Sequence, residues 1–183
     1  MEEIYRSCPE FENNDYILRM VSQEDRLDLL KVYSDKEAVS FFNSDNCGGD
    51  DFYYTDYEKF LECMKFWESR YQVRDFVRFT IVDQKQKEIA GMVEICPSYK
   101  YSADGSKIGI LRIDLLPEYE NEKMLNELLT LILEHIYEDF EVQAVLMKAQ
   151  EYATARRSIL KQFHFVAAMD ECNISFRDYF IRF

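Results

Sequence analysis

The chain has 183 residues, 48% of them hydrophobic and 15% aromatic, which is enough to bury the core of one domain. Its formal net charge of −13 argues against a broad basic face for nucleic acid and against attraction to anionic membranes. The first residues are acidic, and the densest apolar run, 128–133, is far shorter than the ~20 residues of a membrane-spanning helix. We therefore expect a cytoplasmic protein without nucleic-acid or membrane partners.

The cysteines and histidines are scattered along the chain. No two of the five cysteines have C-x-x-C spacing, and neither His135 nor His164 stands beside one of them. A zinc ligand set or a disulfide framework would place such residues at regular, short spacings. We therefore expect reduced thiols and no metal site. The cysteines are Cys8, Cys47, Cys63, Cys96 and Cys172.

The amino-terminal part of the chain predicts an acidic arm followed by a strand and a helix. Residues 1–15 are polar and form either a loose arm or an added edge element, and residues 16–183 form a single domain. Within that domain, residues 16–21 are rich in strand formers. Ser22 and Asp25 then make a capping box, in which the Ser22 hydroxyl accepts a helix N–H and Asp25 reaches back to the cap.

A second helix is predicted after a turn-rich segment. Residues 41–54 contain asparagine, aspartate, serine and glycine in close succession, which is typical of turns. The aromatic and acidic residues of this segment suit either a cationic amine or an ordinary packed loop. Thr55 and Glu58 form a second capping box. Apolar residues then recur on one helical face, at Tyr57, Phe60, Leu61, Met64, Trp67 and Tyr71.

Two strand signals follow that helix and predict a hairpin. Residues 76–82 alternate apolar and polar side chains, as a strand with two different faces does. After a charged turn, residues 89–95 read as a second strand that ends before Pro97. The short connection predicts that the two strands pair antiparallel.

The rest of the chain alternates strands and helices. A strand that directly follows a helix is expected to lie parallel to the strand before that helix. We therefore predict an α/β (α+β) fold with a mixed central sheet and helices on both faces. The predicted strands are 108–116, 142–147 and 174–183, and the predicted helices are 121–140 and 153–163.

Three short segments within this order form a recognisable set. Residues 17–20 with 23–25 have an "LR…D" arrangement, residues 88–93 read Glu-Ile-Ala-Gly-Met-Val, and residues 115–119 read Leu-Leu-Pro-Glu-Tyr. Together with the element order from residue 16 onward, they resemble the GNAT superfamily of N-acetyltransferases. The resemblance implies an acyl-CoA N-acyltransferase-like fold, acetyl-CoA as co-substrate and an amine as acceptor.

The resemblance also implies where acetyl-CoA would bind. In that family, pantetheine inserts between two splayed strands and pairs with their backbone, and the pyrophosphate sits on a [QR]-x-x-G-x-[GA] loop at the next helix. Free N–H groups and the helix dipole make that position suitable for an anion. The implied cofactor-binding residues here are Ile113, Leu115, Leu116, Asn121, Glu122, Lys123, Met124 and Leu125.

The phosphate loop departs from the family pattern. The family's Arg or Gln falls on Glu120, and the small-residue positions fall on Asn121, Lys123 and Leu125. Glu118 and Glu122 bring two more negative charges to this position, so Lys123 is the one cation here that suits phosphates. Acidic residues in a first helical turn also stabilise the dipole without any ligand, by ~0.3–1 kcal/mol.

Three residues are candidates for acid–base chemistry. Glu94 and Asp114 lie near strand centres, where burial could raise the pKa of a carboxyl and make it a general base. Either carboxylate could instead lie on a solvated face, or Asp114 could pair with Arg112. Leu160 stands where the family often has a tyrosine acid, and Tyr152 is close enough in sequence to take that role.

The sequence therefore leaves two main hypotheses. The first is an acyl-CoA-dependent N-acetyltransferase that acts on an amine of a small molecule or protein. The alternative is a catalytically degenerate GNAT-like fold that serves as a binding or regulatory module, or whose site takes a less anionic ligand. A gap between the two central strands would favour the enzyme, and a fully paired sheet or a side-chain-filled cleft would favour the module. A homodimer is left open.

Overall fold

The structure is a computed structural model that describes residues 4–42, 45 and 52–183. The turn-rich segment predicted at 41–54 lies mostly outside these residues. Within them, eight strands form one sheet in the order β1-β2-β3-β4-β5-β6-β8-β7. The strands are β1 (Phe11–Glu12), β2 (Tyr16–Met20), β3 (Val77–Asp83), β4 (Glu88–Ser98), β5 (Ile108–Leu115), β6 (Ala144–Lys148), β7 (Val166–Ala167) and β8 (Tyr179–Arg182).

The sheet is mixed, as the sequence predicts. β5 and β6 are parallel, and each of the other neighbouring pairs is antiparallel. The parallel pair is joined through the strongest predicted helix. The helices are α1 (Arg26–Ser34), α2 (Lys36–Val39), α3 (Tyr57–Gln72), α4 (Glu122–Asp139) and α5 (Thr154–Gln162), with 3-10 turns at Gln23–Asp25, Pro117–Tyr119 and Ala168–Asp170.

Helices cover both faces of the sheet, which confirms the predicted fold class. On one face, Leu128 and Ile132 of α4 and Ile159 of α5 share a core with Leu111 and Ile113 of β5. On the other face, α1 and α3 build a second core above β4 that is rich in aromatic side chains. The alternation of side chains along β5 therefore sends residues 112 and 114 toward α1 and residues 111 and 113 toward α5.

Two local predictions differ from the structure. The helix α3 is capped by Asp56, whose Oδ1 accepts the Glu58 and Lys59 N–H groups, so the predicted cap at Thr55 is wrong by one residue. β4 also continues through Pro97 to Ser98. Pairing with β3 stops at Ile95, so the imide nitrogen of Pro97 needs no partner on that side.

Two other local predictions agree with the structure. The capping box of Ser22 and Asp25 is present and leads through a 3-10 turn into α1. The acidic arm takes the second of its two predicted forms, because Phe11 and Glu12 pair with β2 as an added edge strand. Phe11 is buried and stacks on the ring of His135, with 4.4 Å between the centroids.

Candidate active site

The parting of β5 and β6 is the central feature of the site. The two strands pair in parallel from Ile108 opposite Ala144 to Leu111 opposite Met147. β6 ends one residue later, while β5 stays paired with β4 as far as Leu115. The last residues of β5 therefore have a strand on one side only and face a gap on the β6 side. This is the splayed geometry that the family resemblance implies.

The side chain of Arg156, from the first turn of α5, lies in this gap. Its Nη2 donates a 2.7 Å hydrogen bond to the carbonyl oxygen of Ile113. Arg156 is only 2% exposed, so the protein encloses its guanidinium. Ile113 is one of the residues predicted to pair with pantetheine, and here a side chain of the same chain takes its carbonyl.

Glu120 supplies the counter-charge for Arg156. Arg156 Nε donates to Glu120 Oε1 at 2.6 Å, and Arg156 Nη2 donates to Glu120 Oε2 at 2.8 Å. This two-point pairing matches the planar shape of the guanidinium. The side chain of Glu120 is 7% exposed, so neither charge is left buried without a partner. The ion pair links the start of α4 to α5 across the gap.

The start of α4, where the pyrophosphate is predicted to sit, is partly satisfied by its own residues. Asn121 caps the helix, because its Oδ1 accepts the Met124 N–H at 3.0 Å and its carbonyl accepts the Leu125 N–H at 3.0 Å. The amides of Glu122 and Lys123 have no acceptor among the described residues. These two N–H groups are what the helix end can still offer an anion.

The side chain of Lys123 points away from this helix end. It is 71% exposed, and its Nζ lies 3.4 Å from Asp15 Oδ2 and 3.9 Å from Glu127 Oε1. Lys123 therefore pairs with the acidic arm and with its own helix. Arg156, which contacts Glu120 of the predicted phosphate loop, is a second cation there that the sequence did not single out.

The outer side of the gap is covered by the segment that follows α2. The Tyr152 hydroxyl donates to the Ser40 carbonyl, and Gln150 Nε2 donates to the Phe42 carbonyl at 3.4 Å. The ring of Phe41 packs edge-on against Tyr152, with 5.7 Å between centroids, and lies 5.9 Å from the Arg156 guanidinium carbon. Tyr152 is thus at the mouth of the gap, 59% exposed, with its proton donated to a backbone oxygen.

Glu94 lies on the other face of the sheet, under α1 and α3. Its carboxylate forms an ion pair with Arg78 of β3, and the Arg78 guanidinium stacks 4.0 Å from the Trp67 ring centre. Burial raises the pKa of Glu94, but the charges of Arg78 and Arg112 outweigh it and leave the pKa below its usual range. Glu94 is therefore a stably charged carboxylate, which makes it a weak general base.

Asp114 has a different set of partners on the same face. Its Oδ2 accepts a 2.7 Å hydrogen bond from the Tyr33 hydroxyl and bonds of 3.2 and 3.1 Å from Arg112 Nε and Nη2. Its Oδ1 is buried and has no hydrogen-bond partner among the described residues. The predicted alternative of an Arg112 pairing is therefore present, and one carboxylate oxygen remains unused.

Tyr33 is a member of this cluster that the sequence did not reveal. Its hydroxyl donates to Asp114 and accepts a 3.2 Å hydrogen bond from Arg78 Nη1. Burial, followed by the charge of Asp114, raises the pKa of Tyr33 well above its usual value, so the hydroxyl stays protonated and acts as a donor. Leu27, Leu30 and Tyr33 mark the apolar face of α1 in sequence, and nothing there distinguishes Tyr33 from core.

The predicted site residues therefore fall into two groups on opposite sides of β5. The first group lies around the gap: Ile113 on its edge, the α4 start beside it and Tyr152 at its mouth, with the unpredicted Arg156 inside it. The opposite face contains Glu94 and Asp114, among buried arginines and aromatic rings. In the conformation described, the gap does not fit a pantetheine chain, since Arg156 holds the strand carbonyl that would pair with it.

Two further properties of the described residues bear on the class of protein. Among the helices within 4–42 and 52–183, none is long and apolar enough to cross a membrane. The same part of the chain contains no group of three or more His, Cys, Asp or Glu side chains arranged to hold a metal ion.

Comparison with known families identifies the chain. The acetyltransferase (GNAT) domain family matches residues 15–166, which is most of the sequence. The chain therefore belongs to the GNAT acetyltransferase family, as the motifs and the splayed strands indicate. Comparison with curated proteins gave no match.

Solved structures with the same fold are acetyltransferases of distant sequence. A ribosomal L7/L12 α-N-protein acetyltransferase in complex with coenzyme A superposes with a TM-score of 0.72 at 12% identity, covering 95% of this chain and 97% of the other. Spermidine N-acetyltransferase from Vibrio cholerae, in complex with CoA and spermine, gives 0.66 at 15% identity, with coverages of 92% and 93%. At these identities the likeness establishes the fold alone.

Proposed function

We propose that the protein is an acyl-CoA-dependent N-acetyltransferase that acts on an amine of a small molecule or a protein. The observation that carries the proposal is the parting of β5 and β6 beyond Leu111, beside the amino-terminal end of α4. Such a gap exposes an unpaired strand edge to the amides of a pantetheine chain. The free N–H groups at the start of the next helix would bind the pyrophosphate of the same cofactor. Acetyl-CoA is the co-substrate that the family membership supports.

The amine acceptor would enter from the α1 and α3 side of the sheet. An amine must lose a proton before its nitrogen can form a bond to the acetyl carbon. Asp114 is the better candidate base, because its Oδ1 is free while Glu94 is committed to Arg78. Access to Oδ1 requires movement of the aromatic side chains above it, since Asp114 is 2% exposed. Tyr152, on the other side of the gap, would be the general acid that donates a proton to the leaving thiolate.

The charge of the chain supports a cationic acceptor. A net charge of −13 attracts protonated amines and repels anionic ones over about one Debye length, ~8 Å in physiological salt. The two relatives described above are named for spermidine and for a protein α-amine, which are both cationic at neutral pH. Polyamines and protein amino termini are therefore the first acceptors to test.

A second function is favoured by a specific observation. Arg156 fills the gap and Glu120 neutralises it, so the described conformation has no vacant pantetheine channel. A GNAT fold that binds a protein or a less anionic ligand without acetyl transfer would need no such channel. We retain this binding-module function as the alternative.

An acetyl-transfer assay separates the two functions. The purified protein is mixed with acetyl-CoA and, in separate reactions, with spermidine or a peptide with a free amino terminus. Free thiol is measured together with the mass of the amine product. The enzyme function predicts thiol release that depends on the amine and an acetylated product, and it predicts loss of both in Asp114→Asn. Thiol release that is independent of every amine, or no release at millimolar acetyl-CoA, would support the module.

A further inference from the structure

We propose that Arg156 and Glu120 form an internal occupant of the acetyl-CoA cleft and set its affinity for the cofactor. The proposal rests on the proposed function, since it concerns the cleft that function requires. It assigns Arg156 and Glu120 a role opposite to that of a cofactor ligand. Their removal strengthens cofactor binding.

The position of the guanidinium is the first step. Arg156 Nη2 donates to the Ile113 carbonyl at 2.7 Å from the β6 side of the strand. A pantetheine amide that pairs with the same strand edge needs the same volume and the same oxygen. Since Arg156 is 2% exposed, the two cannot be accommodated together. Binding of the cofactor therefore requires that the Arg156 side chain leaves the gap.

The pairing with Glu120 makes that departure costly. When Arg156 leaves, Glu120 loses both of its hydrogen bonds from the guanidinium. Its carboxylate, which is 7% exposed while the pair is intact, then lacks those charge-assisted bonds. The two groups therefore hold each other in the closed arrangement.

The location of Glu120 adds an electrostatic term. Glu120 directly precedes Asn121, the residue that caps α4, and the free amides of Glu122 and Lys123 follow it. A pyrophosphate on those amides would lie beside the Glu120 carboxylate, whose charge Arg156 no longer neutralises. The side chain of Lys123 points to Asp15 and Glu127 instead. Cofactor binding thus places like charges together unless Glu120 is also removed.

The consequence is a closed form that competes with the cofactor. The apparent dissociation constant equals the intrinsic one divided by the fraction of molecules in the open form. If that fraction is below one tenth, removing the occupant tightens binding by at least about 10-fold. Removing both partners should give the largest gain, because a single substitution leaves the other group buried without its counter-charge.

The test is calorimetric titration of acetyl-CoA into the full-length protein and its variants. Arg156→Ala/Glu120→Ala should bind at least about 10-fold more tightly than the wild type. Glu120→Gln, which keeps the size of the side chain and removes its charge, should give a smaller gain in the same direction. It carries the test if the double variant does not fold, as judged by circular dichroism.

A matched control is available on the same helix. Arg157 of α5 pairs with Asp178 at 3.2 Å, and both side chains are partly exposed. Arg157→Ala/Asp178→Asn removes that ion pair with the same change in net charge, and asparagine tolerates the positive φ of 65° at this position. Its affinity for acetyl-CoA should stay within about 2-fold of the wild type, well short of the 10-fold gain expected of an opened cleft.

The outcomes distinguish this proposal from the proposed function. Unchanged or weaker binding by both Arg156→Ala/Glu120→Ala and Glu120→Gln would overturn it, since Arg156 would then be a cofactor ligand or a bystander. If the double variant binds acetyl-CoA more tightly than the wild type but acetylates no amine, the internal occupant is supported and the enzyme function is overturned. If the wild type acetylates an amine and neither variant binds acetyl-CoA more tightly, the enzyme function is supported and the internal occupant is overturned. No binding by any variant overturns both.

Discussion

Glu94 and Asp114 share a buried face of the sheet, yet their partners give them different chemistry. Glu94 is held by the Arg78 charge, whereas Asp114 receives three hydrogen bonds on one oxygen and none on the other. Sequence reasoning could place both residues on strands but could not separate them. The difference depends on Tyr33 and Arg78, which lie 81 and 36 positions from Asp114 in sequence.

Asp114→Asn is expected to lower the turnover of a cationic amine by about 10²–10⁴-fold, because general-base catalysis contributes an effect of this size. The amide oxygen can keep the hydrogen bond from Tyr33, but the buried Arg112 loses its counter-charge, so rates are compared for the folded fraction. Initial rates of acetyl transfer at saturating acetyl-CoA check the prediction. A rate within about 3-fold of the wild type would remove Asp114 from the acid–base chemistry, since that is far below the range expected of a general base.

Glu94→Gln should act mainly on stability. The substitution leaves the Arg78 guanidinium buried without its carboxylate, and breaking a buried ion pair in this way costs about 3–5 kcal/mol. Urea unfolding followed by tryptophan fluorescence measures the loss. The turnover of the folded fraction should change much less than in Asp114→Asn. If the turnover of the folded fraction falls as far as it does in Asp114→Asn, Glu94 and not Asp114 takes the proton.

The lowered pKa values of the Asp25 and Glu94 carboxyls predict that the protein is sensitive to acid. Burial raises the pKa of Asp25, but hydrogen bonds from Arg19, the Ser22 amide and Thr80 outweigh it and leave the pKa lowered. The pKa of Glu94 is likewise raised by burial, but the charges of Arg78 and Arg112 outweigh burial and leave this pKa lowered. A carboxyl with a lowered folded-state pKa stabilises the protein above its unfolded pKa of ~4 and loses that contribution as the pH falls. The midpoint temperature of thermal unfolding should therefore be constant from pH 7 to about 5 and fall steeply below about pH 4. Asp25→Asn should flatten the acid limb, and an unchanged acid limb would contradict this assignment.

The pairing of β4 with β5 depends on a close approach at Gly91. A Cβ at this position would lie 2.1 Å from the Asp114 carbonyl oxygen and 2.9 Å from the Leu115 Cα, both backbone atoms. The register between β3 and β4 also shifts at this point, which indicates a bulge beside Gly91. Gly91 belongs to the 88–93 segment that carries part of the family resemblance.

Gly91→Ala is expected to destabilise the fold by at least about 2 kcal/mol, because two backbones must move apart to admit the methyl group. The measurement is the denaturant midpoint at constant m-value. The matched control is Gly105→Ala, at a glycine whose Cβ would meet no atom within 4 Å but whose φ is +87°. Strain alone then sets the smaller loss at Gly105. An equal or larger loss at Gly105 would show that contact with β5 does not limit Gly91.

The elements themselves were largely accessible from sequence, because periodicity and capping are local. The strand and helix limits of the second half lie within a few residues of those predicted, apart from the last strand, which begins at Tyr179 instead of 174. The position of Arg156 in the gap could not be predicted from the sequence. Its neighbours Ala155, Ile159 and Leu160 mark the apolar side of α5, and an arginine beside them predicts a solvent-facing residue. Its burial depends on Glu120, 36 positions away, and on the gap between strands that are distant in sequence.

The amino-terminal arm is part of the folded molecule. Ile4 is buried, and its carbonyl accepts a 2.8 Å hydrogen bond from the Tyr71 hydroxyl of α3. Phe11 packs between His135 of α4 and Phe79 of β3, in the same core as Ile4 and Tyr71, so the arm adds to the core on the α4 side of the sheet. Deletion of residues 1–12 should lower the free energy of unfolding by about 3–6 kcal/mol, the transfer energy of two large apolar side chains. Urea titration measures it, and a loss below about 1 kcal/mol would show that the arm is dispensable.

In our proposal, Arg156 occupies the acetyl-CoA cleft between β5 and β6 in the free protein. Nitrogen-15 NMR of the arginine side chains tests it directly, with the Arg156 Nε–H signal assigned from its loss in Arg156→Lys. We expect a slowly exchanging, shifted Nε–H signal in the free protein, because Arg156 Nε donates a hydrogen bond to Glu120. Addition of millimolar acetyl-CoA should convert that signal to one typical of an exposed arginine. A signal that stays unchanged throughout the titration would show that acetyl-CoA does not displace Arg156 from the cleft.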